Sequence, residues 1–311
     1  MRDWTELHAQ RVRVVWRGKA TRLCANAFLL LLVVLLVLVL SGCGNPTVVT
    51  LPDAAGLHPP AISATAAMLI NPDTGQAYLA QNADQERAMA STTKIMTAVV
   101  ALTTTNLNTV VTVGSDATAL DEGVASVAGL RLGDKLTLRE LLYALLLPSG
   151  NDAAVAIADG VAGSQTSFIA LMNTEAQHLG LRHTHYSDVH GLDAPNHYTT
   201  AHDLLTLTQS ALGHPVFAEV VKTSLWQLPA TSTHAAYTWT TTNLLLTTLA
   251  YSGATGVKTG LTGDAGACLV FAATRGDHHL LGVVLNERDD VLRFTDAAAL
   301  LDWGFGIEQQ P

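Results

Sequence analysis

The stretch Ala90-Ser91-Thr92-Thr93-Lys94-Ile95-Met96-Thr97 decides how the rest of the chain is read. Its composition, continued to Thr103, predicts a helix with Ser91 placed to cap it. Positions i and i+3 of a helix share a face, so Ser91 Oγ and Lys94 Nζ meet there. Serine is a poor nucleophile until a base takes its proton. Lysine is that base only when burial or a nearby cation lowers its pKa. The helix N-terminus adds positive potential that favours a developing alkoxide. Alone, a Ser-x-x-Lys spacing arises by chance on the order of once per few hundred residues. A capping serine beside a surface lysine is its ordinary explanation.

Two further motifs follow in order. Ser149-Gly150-Asn151 is, by itself, turn chemistry between two helices. Lys258-Thr259-Gly260 leads into a β-rich run, and by itself is an edge-strand lysine with a bulge glycine. A glycine next to a lysine and a hydroxyl also lets a substrate backbone lie against the strand. Ser91 heads the only Ser-x-x-Lys of the chain, and 258–260 is its only Lys-Thr-Gly.

Around these motifs the pattern of elements is legible. Residues 64–70 and 76–80 are apolar strand candidates, joined by Asn71-Pro72-Asp73-Thr74-Gly75, a strong turn, so they predict a hairpin. Helices are expected over 138–147, 152–161, 167–179 (ending at Gly180) and 200–212 (stopped by Gly213 and Pro215). Residues 256–260, 266–274 and 279–285 read as strands, the last two at hairpin spacing, and 290–303 as a closing helix. Strands at both ends and helices between them predict an α/β (α+β) fold. One mainly antiparallel sheet is built from the two termini, with a helical region inserted.

The 311 residues give ample core for one large domain or two smaller ones. A hydrophobic share of 49% against 14% charged excludes a disordered chain. The net charge of −9 provides no basic field for nucleic acid. Three cysteines without C-x-x-C spacing give no support to a redox motif, a zinc site or a disulfide framework.

The N-terminus reads as an address. Arg11, Arg13, Arg17, Lys19 and Arg22 precede Phe28–Leu40, an almost pure Leu/Val run too short for a spanning helix of roughly 20 residues. This is signal-peptide composition. It ends in Leu40-Ser41-Gly42-Cys43, similar to the lipobox of bacterial lipoproteins. The domain scheme is therefore a signal peptide over 1–42, a lipidated Cys43 with a Pro/Gly/Thr-rich tether to residue 62, and a catalytic domain over 63–311. A tether of this length reaches roughly 25 Å, which keeps the domain close to a bacterial membrane, outside the cytoplasm. Cys268 is then the one free thiol of the mature chain.

Taken together, a Ser-x-x-Lys, a Ser-x-Asn and a Lys-Thr-Gly in that order resemble the signature set of penicillin-binding proteins and serine β-lactamases. The flanks resemble the low-molecular-mass D-alanyl-D-alanine carboxypeptidases. They are the residues around Ser91 quoted above, Ser149-Gly150-Asn151-Asp152-Ala153, His190-Gly191-Leu192-Asp193 with His197-Tyr198-Thr199-Thr200-Ala201, and Gly253 to Thr262. Leu300-Leu301-Asp302-Trp303-Gly304-Phe305 closes the set. The resemblance runs from about Ala64 to Gly306. It implies a β-lactamase/DD-peptidase-like fold and an acyl-enzyme on Ser91, with peptidoglycan stem peptides as substrate, β-lactam antibiotics as inhibitors and no cofactor or metal.

It also implies roles. Lys94 is the base for Ser91, Ser149 relays a proton to the leaving amine, and Asn151 binds the substrate amide. Lys258, Thr259 and Thr262 hold the terminal carboxylate, with Gly260 opening the strand to substrate. The N–H groups of Ser91 and Leu261 form the oxyanion hole, a donor pair worth several kcal/mol. Arg293 supports the carboxylate site. In two places the sequence departs from the family's usual pattern: Asp188 stands where asparagine is frequent, and Leu261 where histidine is. Some relatives carry a C-terminal anchor, and here the lipid on Cys43 is expected to replace it.

Rival readings differ in what they require. A class A β-lactamase needs a carboxylate-held water, but 152–257 has no Glu-x-x-Leu-Asn segment; Glu175 is followed by Ala176-Gln177-His178. A zinc peptidase needs ligands, for which His183, His185, Asp188 and His190 are the candidates. A non-enzymatic wall-binding lipoprotein needs a degenerate site, yet every position is filled. DD-endopeptidase activity on cross-links shares all the carboxypeptidase residues.

Overall fold

The computed structural model describes residues 48–50, 58–120 and 125–309. The expected signal peptide, Cys43 and much of the expected tether lie outside them. Within the tether, however, Val48–Thr50 is a strand (β1), paired antiparallel with residues 79–81. The 43–62 segment therefore includes an edge strand, which its Pro-rich composition did not suggest.

The expected hairpin is present as β2 (Ala66–Ile70) and β3 (Ala77–Gln81). Asn71 closes its turn by accepting the N–H groups of Asp73 and Thr74 at 2.9 and 3.0 Å. Further along the chain, β4 (Val110–Thr112) pairs with β5 (Lys135–Thr137) and β6 (Leu225–Leu228) with β7 (Tyr237–Thr240), both outside the main sheet. At the other end of the chain come β8 (Ala254–Thr262), β9 (Gly266–Arg275) and β10 (His278–Glu287). The sheet order is β1-β3-β2-β10-β9-β8, with every pair antiparallel. The two termini thus build one sheet, as the sequence pattern predicts, because β2 and β10 present buried apolar residues at paired positions such as Ile70 and Leu281.

The closing helix, Leu292–Glu308, packs on one face of the sheet. Phe294, Ala297, Leu301 and Phe305 meet Leu69, Phe271 and Leu280 in one buried cluster. Each large apolar side chain buried there contributes about 1.5–3 kcal/mol. The entry to β2 is clasped from the same helix: Asp296 accepts the N–H groups of Ser63 and Ala64 at 2.7 and 3.1 Å.

The inserted helices cover the other face. The central one, α1 (Lys94–Thr104), is buried from Lys94 through Ala101. Around it lie α3 (Leu138–Leu146), α4 (Asn151–Ala162), α5 (Gln165–His178) and α6 (Ala201–Leu212), after the short α2 (Ser115–Thr118). Thr137 and Glu140 make a reciprocal capping box at the start of α3. Ser164 and Thr200 cap α5 and α6 through their hydroxyls.

Beyond the expected elements, Pro215–Lys222 forms α7, with Pro215 at its first turn. Leu225–Leu228 and Tyr237–Thr240 form a separate hairpin. A stack of aromatic rings, Tyr143-Trp226-Trp239-Tyr237, ties that hairpin to α3. Trp239 Nε1 donates to Ala128 O at 2.8 Å, so the indole is satisfied although buried.

Candidate active site

Ser91 does not cap a helix. It lies inside a 3-10 turn, Ala90–Thr93, that runs directly into α1, and no side chain caps either start. The difference is chemical: a capping hydroxyl is engaged with backbone N–H, whereas Ser91 Oγ is left for Lys94. The turn is shaped instead by Thr92 Oγ1 and Thr93 Oγ1, which donate to Met89 O (2.6 Å) and Ala90 O (2.8 Å). Ala90 adopts a left-handed backbone, φ 47°. Such a conformation is rare for a residue with a Cβ and is held by its surroundings.

Lys94 is fully buried, and Nζ has three neighbours: Ser91 Oγ at 2.8 Å, Asn151 Oδ1 at 2.6 Å and His190 O at 2.7 Å. Two of these, the amide and peptide carbonyl oxygens, only accept hydrogen bonds. A neutral amine has two N–H bonds to give them, and its lone pair then points at the third neighbour, the Ser91 hydroxyl. Burial pulls the Lys94 pKa down from 10.5 to about 7, against the opposing charges of Asp188 and Asp152. Near neutral pH the free base is therefore well populated.

Ser149 sits in the turn between α3 and α4 with φ 64°. Gly150 packs so tightly there that a Cβ would lie 2.7 Å from Ala144 O. The turn fixes two side chains at once. Asn151 opens α4 and reaches Lys94, and Ser149 Oγ accepts from Lys258 Nζ at 2.9 Å. Lys258, on β8, also donates to Thr259 O at 2.9 Å. Burial, then the nearby Lys94 and Arg293, push the Lys258 pKa well below its ordinary value. Lys94 is thus one of the charges that hold the proton affinity of Lys258 down.

β8 runs directly beside the nucleophile. A Cβ on Gly260 would lie 2.9 Å from the Ala90 Cβ and 3.1 Å from Ser91 N, so only glycine lets the strand approach this closely. An open cleft of about 360 Å³ lies between them, lined by Ser91, Ser149, Thr259, Gly260, Leu261 and Arg293, together with Ser126, Thr242, Leu244, Asp290 and Phe294. Arg293 Nη1 donates to Gly260 O at 2.6 Å and Cys268 O at 3.3 Å, while Nη2 pairs with Asp290. The arginine therefore fastens the closing helix to β8 as well as facing the cleft. Thr262 stands apart: its hydroxyl accepts Ala265 N–H at 3.2 Å in the β8–β9 turn, and it is not among the cleft-lining residues.

Two residues of the cleft carry no sequence motif. Thr242 pairs its hydroxyl with that of Thr259, and its N–H is fixed by Leu147 O at 3.0 Å. Ser126 accepts Asn151 N–H through its carbonyl at 2.8 Å. Only the fold brings these loop residues to the site. The zinc-ligand candidates disperse: His183 sits 3.2 Å from Glu86, His185 bonds Asn196 O at 2.6 Å, and His190 and Asp188 turn toward each other. Among the described residues no three His, Cys, Asp or Glu side chains form a metal-holding group.

The chain is similar to known proteins over most of its length. The chain is 41% identical over 267 residues to a D-alanyl-D-alanine carboxypeptidase of Streptomyces sp. strain K15, covering 82% of this chain and 91% of that one. It is 37% identical to the carboxypeptidase DacD of Salmonella typhimurium, covering 79% of this chain and 64% of that one. The crystal structure of the Streptomyces K15 DD-transpeptidase superposes with a TM-score of 0.76 at 40% identity, covering 80% and 99% of the two chains. The family model for D-alanyl-D-alanine carboxypeptidases matches residues 53–289. With most of its length so matched, the chain belongs to the D-alanyl-D-alanine carboxypeptidase family of serine peptidases.

Proposed function

We propose that Ser91 removes the terminal D-alanine of peptidoglycan stem pentapeptides through an acyl-enzyme. The observation that carries this reading is Lys94, buried and in contact with both Ser91 Oγ and Asn151 Oδ1. Ser91 Oγ attacks the carbonyl carbon of the penultimate D-alanine, and its proton passes to the free base of Lys94. The N–H groups of Ser91 and Leu261 hold the oxyanion. Collapse breaks the C–N bond. Ser149, hydrogen-bonded to Lys258, passes a proton to the leaving amine and regains one from the protonated Lys94, which returns to the free base, and D-alanine departs. Water then attacks the ester, with Lys94 again taking the proton; the bond to Ser91 Oγ breaks, Lys94 returns the proton to that oxygen, and the shortened peptide is released. Lys258, Thr259 and Arg293 hold the substrate's terminal carboxylate, and Asn151 its amide. A β-lactam acylates Ser91 in the same way and leaves slowly.

Incubation with a pentapeptide stem and with cross-linked dimers, followed by mass spectrometry, tests this. Free D-alanine from the pentapeptide is expected. An intact pentapeptide beside cleaved dimers would instead make the enzyme an endopeptidase. A second reading, transpeptidation, is favoured by the 40% identical structure described as a DD-transpeptidase. There an amine takes the acyl group in place of water, so an added amino-acid acceptor yields the exchanged peptide.

We further propose that the enzyme works outside the cytoplasm on a lipid carried by Cys43. The Leu/Val run of 28–40 and the Leu-Ser-Gly-Cys sequence after it support this. Membrane fractionation with Cys43→Ser is the test, since loss of the thiol should release the protein from the membrane.

A further inference from the structure

The loop that follows α5 folds around one carboxylate. Asp188 Oδ1 accepts the backbone N–H of His190 at 2.8 Å and that of Gly191. The His190 ring nitrogen lies 3.2 Å from the same oxygen. This tight turn points the His190 carbonyl away from Asp188 and onto Lys94 Nζ, 2.7 Å away. The next residue along α1 on that face, Thr97, fixes the same loop by donating to Val189 O at 2.7 Å. The other carboxylate oxygen, Asp188 Oδ2, is buried without a hydrogen-bond partner.

His197 does not cancel that charge. Its Nδ1 accepts Ser187 N–H at 3.0 Å, which leaves the ring proton on Nε2, where Thr93 Oγ1 lies 2.7 Å away. That tautomer is a neutral ring, not a cation, and its Nδ1 lies 3.9 Å from Asp188 Oδ2. Burial also pushes the His197 pKa down. The charged or titratable groups facing Lys94 are then Asp188 and His190 from this loop, Asp152 from α4 and Lys258 from β8, with His197 and Arg293 behind them. Asp152 is engaged by the N–H groups of Ala128, Leu130 and Ala153. Asp188 is the carboxylate that keeps one oxygen free.

We propose that Asp188 is a positioning residue for the general base: it folds the 188–191 turn so that the His190 carbonyl takes one Lys94 N–H, and its free charge sets the pH at which Lys94 becomes a base. The inference rests on Lys94 acting as the base for Ser91. The burial of Lys94 drives its pKa down and the Asp188 charge raises it, which agrees with a balance near neutrality.

The test is the rate of acylation by a fluorescent penicillin, measured from pH 5 to 9 for wild type, D188N and D188E. Asparagine keeps an acceptor for the His190 and Gly191 N–H groups but removes the charge. The acid limb of D188N is expected to move down by on the order of one pH unit, making acylation at pH 6 about fivefold faster than wild type. D188E keeps the charge but is too long for the turn. Its limb should stay in place while its rate falls at least about tenfold at every pH. An unmoved limb in D188N, or a pH-independent loss in that variant, would overturn the charge role. A wild-type rate in D188E would overturn the positioning role, and this arm stands even if D188N does not fold. Absence of any acylation in wild type would instead sink the reading of Ser91 and Lys94 on which the inference depends.

Discussion

The carbonyl oxygen of Ala90 occupies the space into which a side chain on Gly191 would project: a Cβ there would lie only 1.9 Å from it. The loop carrying His190 thereby lies directly on the residue before the nucleophile. Gly191 itself has φ 98°, a backbone that favours glycine. Gly191→Ala should cost about 1–3 kcal/mol of stability and displace the Ala90–Ser91 turn. Penicillin acylation is expected to fall on the order of 100-fold. Stopped-flow acylation alongside thermal melting checks both. A variant with normal acylation would show that the contact does not place Ser91.

The pH profile follows from Lys94. The group works as a free base, and burial holds its pKa at about 7. Acylation by penicillin should therefore be slow at pH 5, rise about tenfold per pH unit along the acid limb, and flatten above pH 7 to 8. A limb at an ordinary lysine value near 10.5 would mean that Lys94 is not buried as described.

Much of this site is legible in the sequence because its chemistry is concentrated in short motifs. Ser91 and Lys94 are three residues apart, and one helical turn is enough to join them. The alternation of strands and helices likewise reveals a sheet made by both termini. What escapes is whatever only long-range packing decides. Thr242 reaches the cleft from the loop just after the hairpin that the aromatic stack of Tyr143, Trp226 and Trp239 fixes, and no local pattern marks a threonine for that place. The Ser91 capping role fails because the left-handed Ala90, pressed by Gly191 and Gly260, redirects the turn. The helix at Pro215 is equally readable afterwards: the proline that stops α6 starts the next helix.

Asp152 is buried and accepts N–H groups from Ala128 and Leu130 at 2.8 and 2.9 Å. It holds the loop that presents Ser126 to the cleft. Asp152→Ala leaves those donors unpaired, and a loss of about 3 kcal/mol is expected in urea unfolding. Asp152→Asn, which keeps an acceptor, should lose less than half of that.

Arg293 joins β8 to the closing helix and lines the cleft. Arg293→Lys removes the planar fork while keeping the charge. For a D-Ala-D-Ala peptide, KM should rise about tenfold with a smaller change in kcat. An unchanged KM would leave the arginine a purely structural role.

Cys268 is fully buried, and burial pushes its thiol up to about 11. Peptide mapping after iodoacetamide at pH 8 should find it unlabelled in the folded enzyme and labelled after unfolding. Labelling in the native state would contradict its place in the core beside Arg293.

The central claim is a covalent intermediate on Ser91, and peptide-level mass spectrometry after brief exposure to benzylpenicillin tests it most directly. The added mass should equal the intact antibiotic and map to Ser91, and it should be absent from Ser91→Ala. No adduct on wild type, or an equal adduct on Ser91→Ala, would contradict the account.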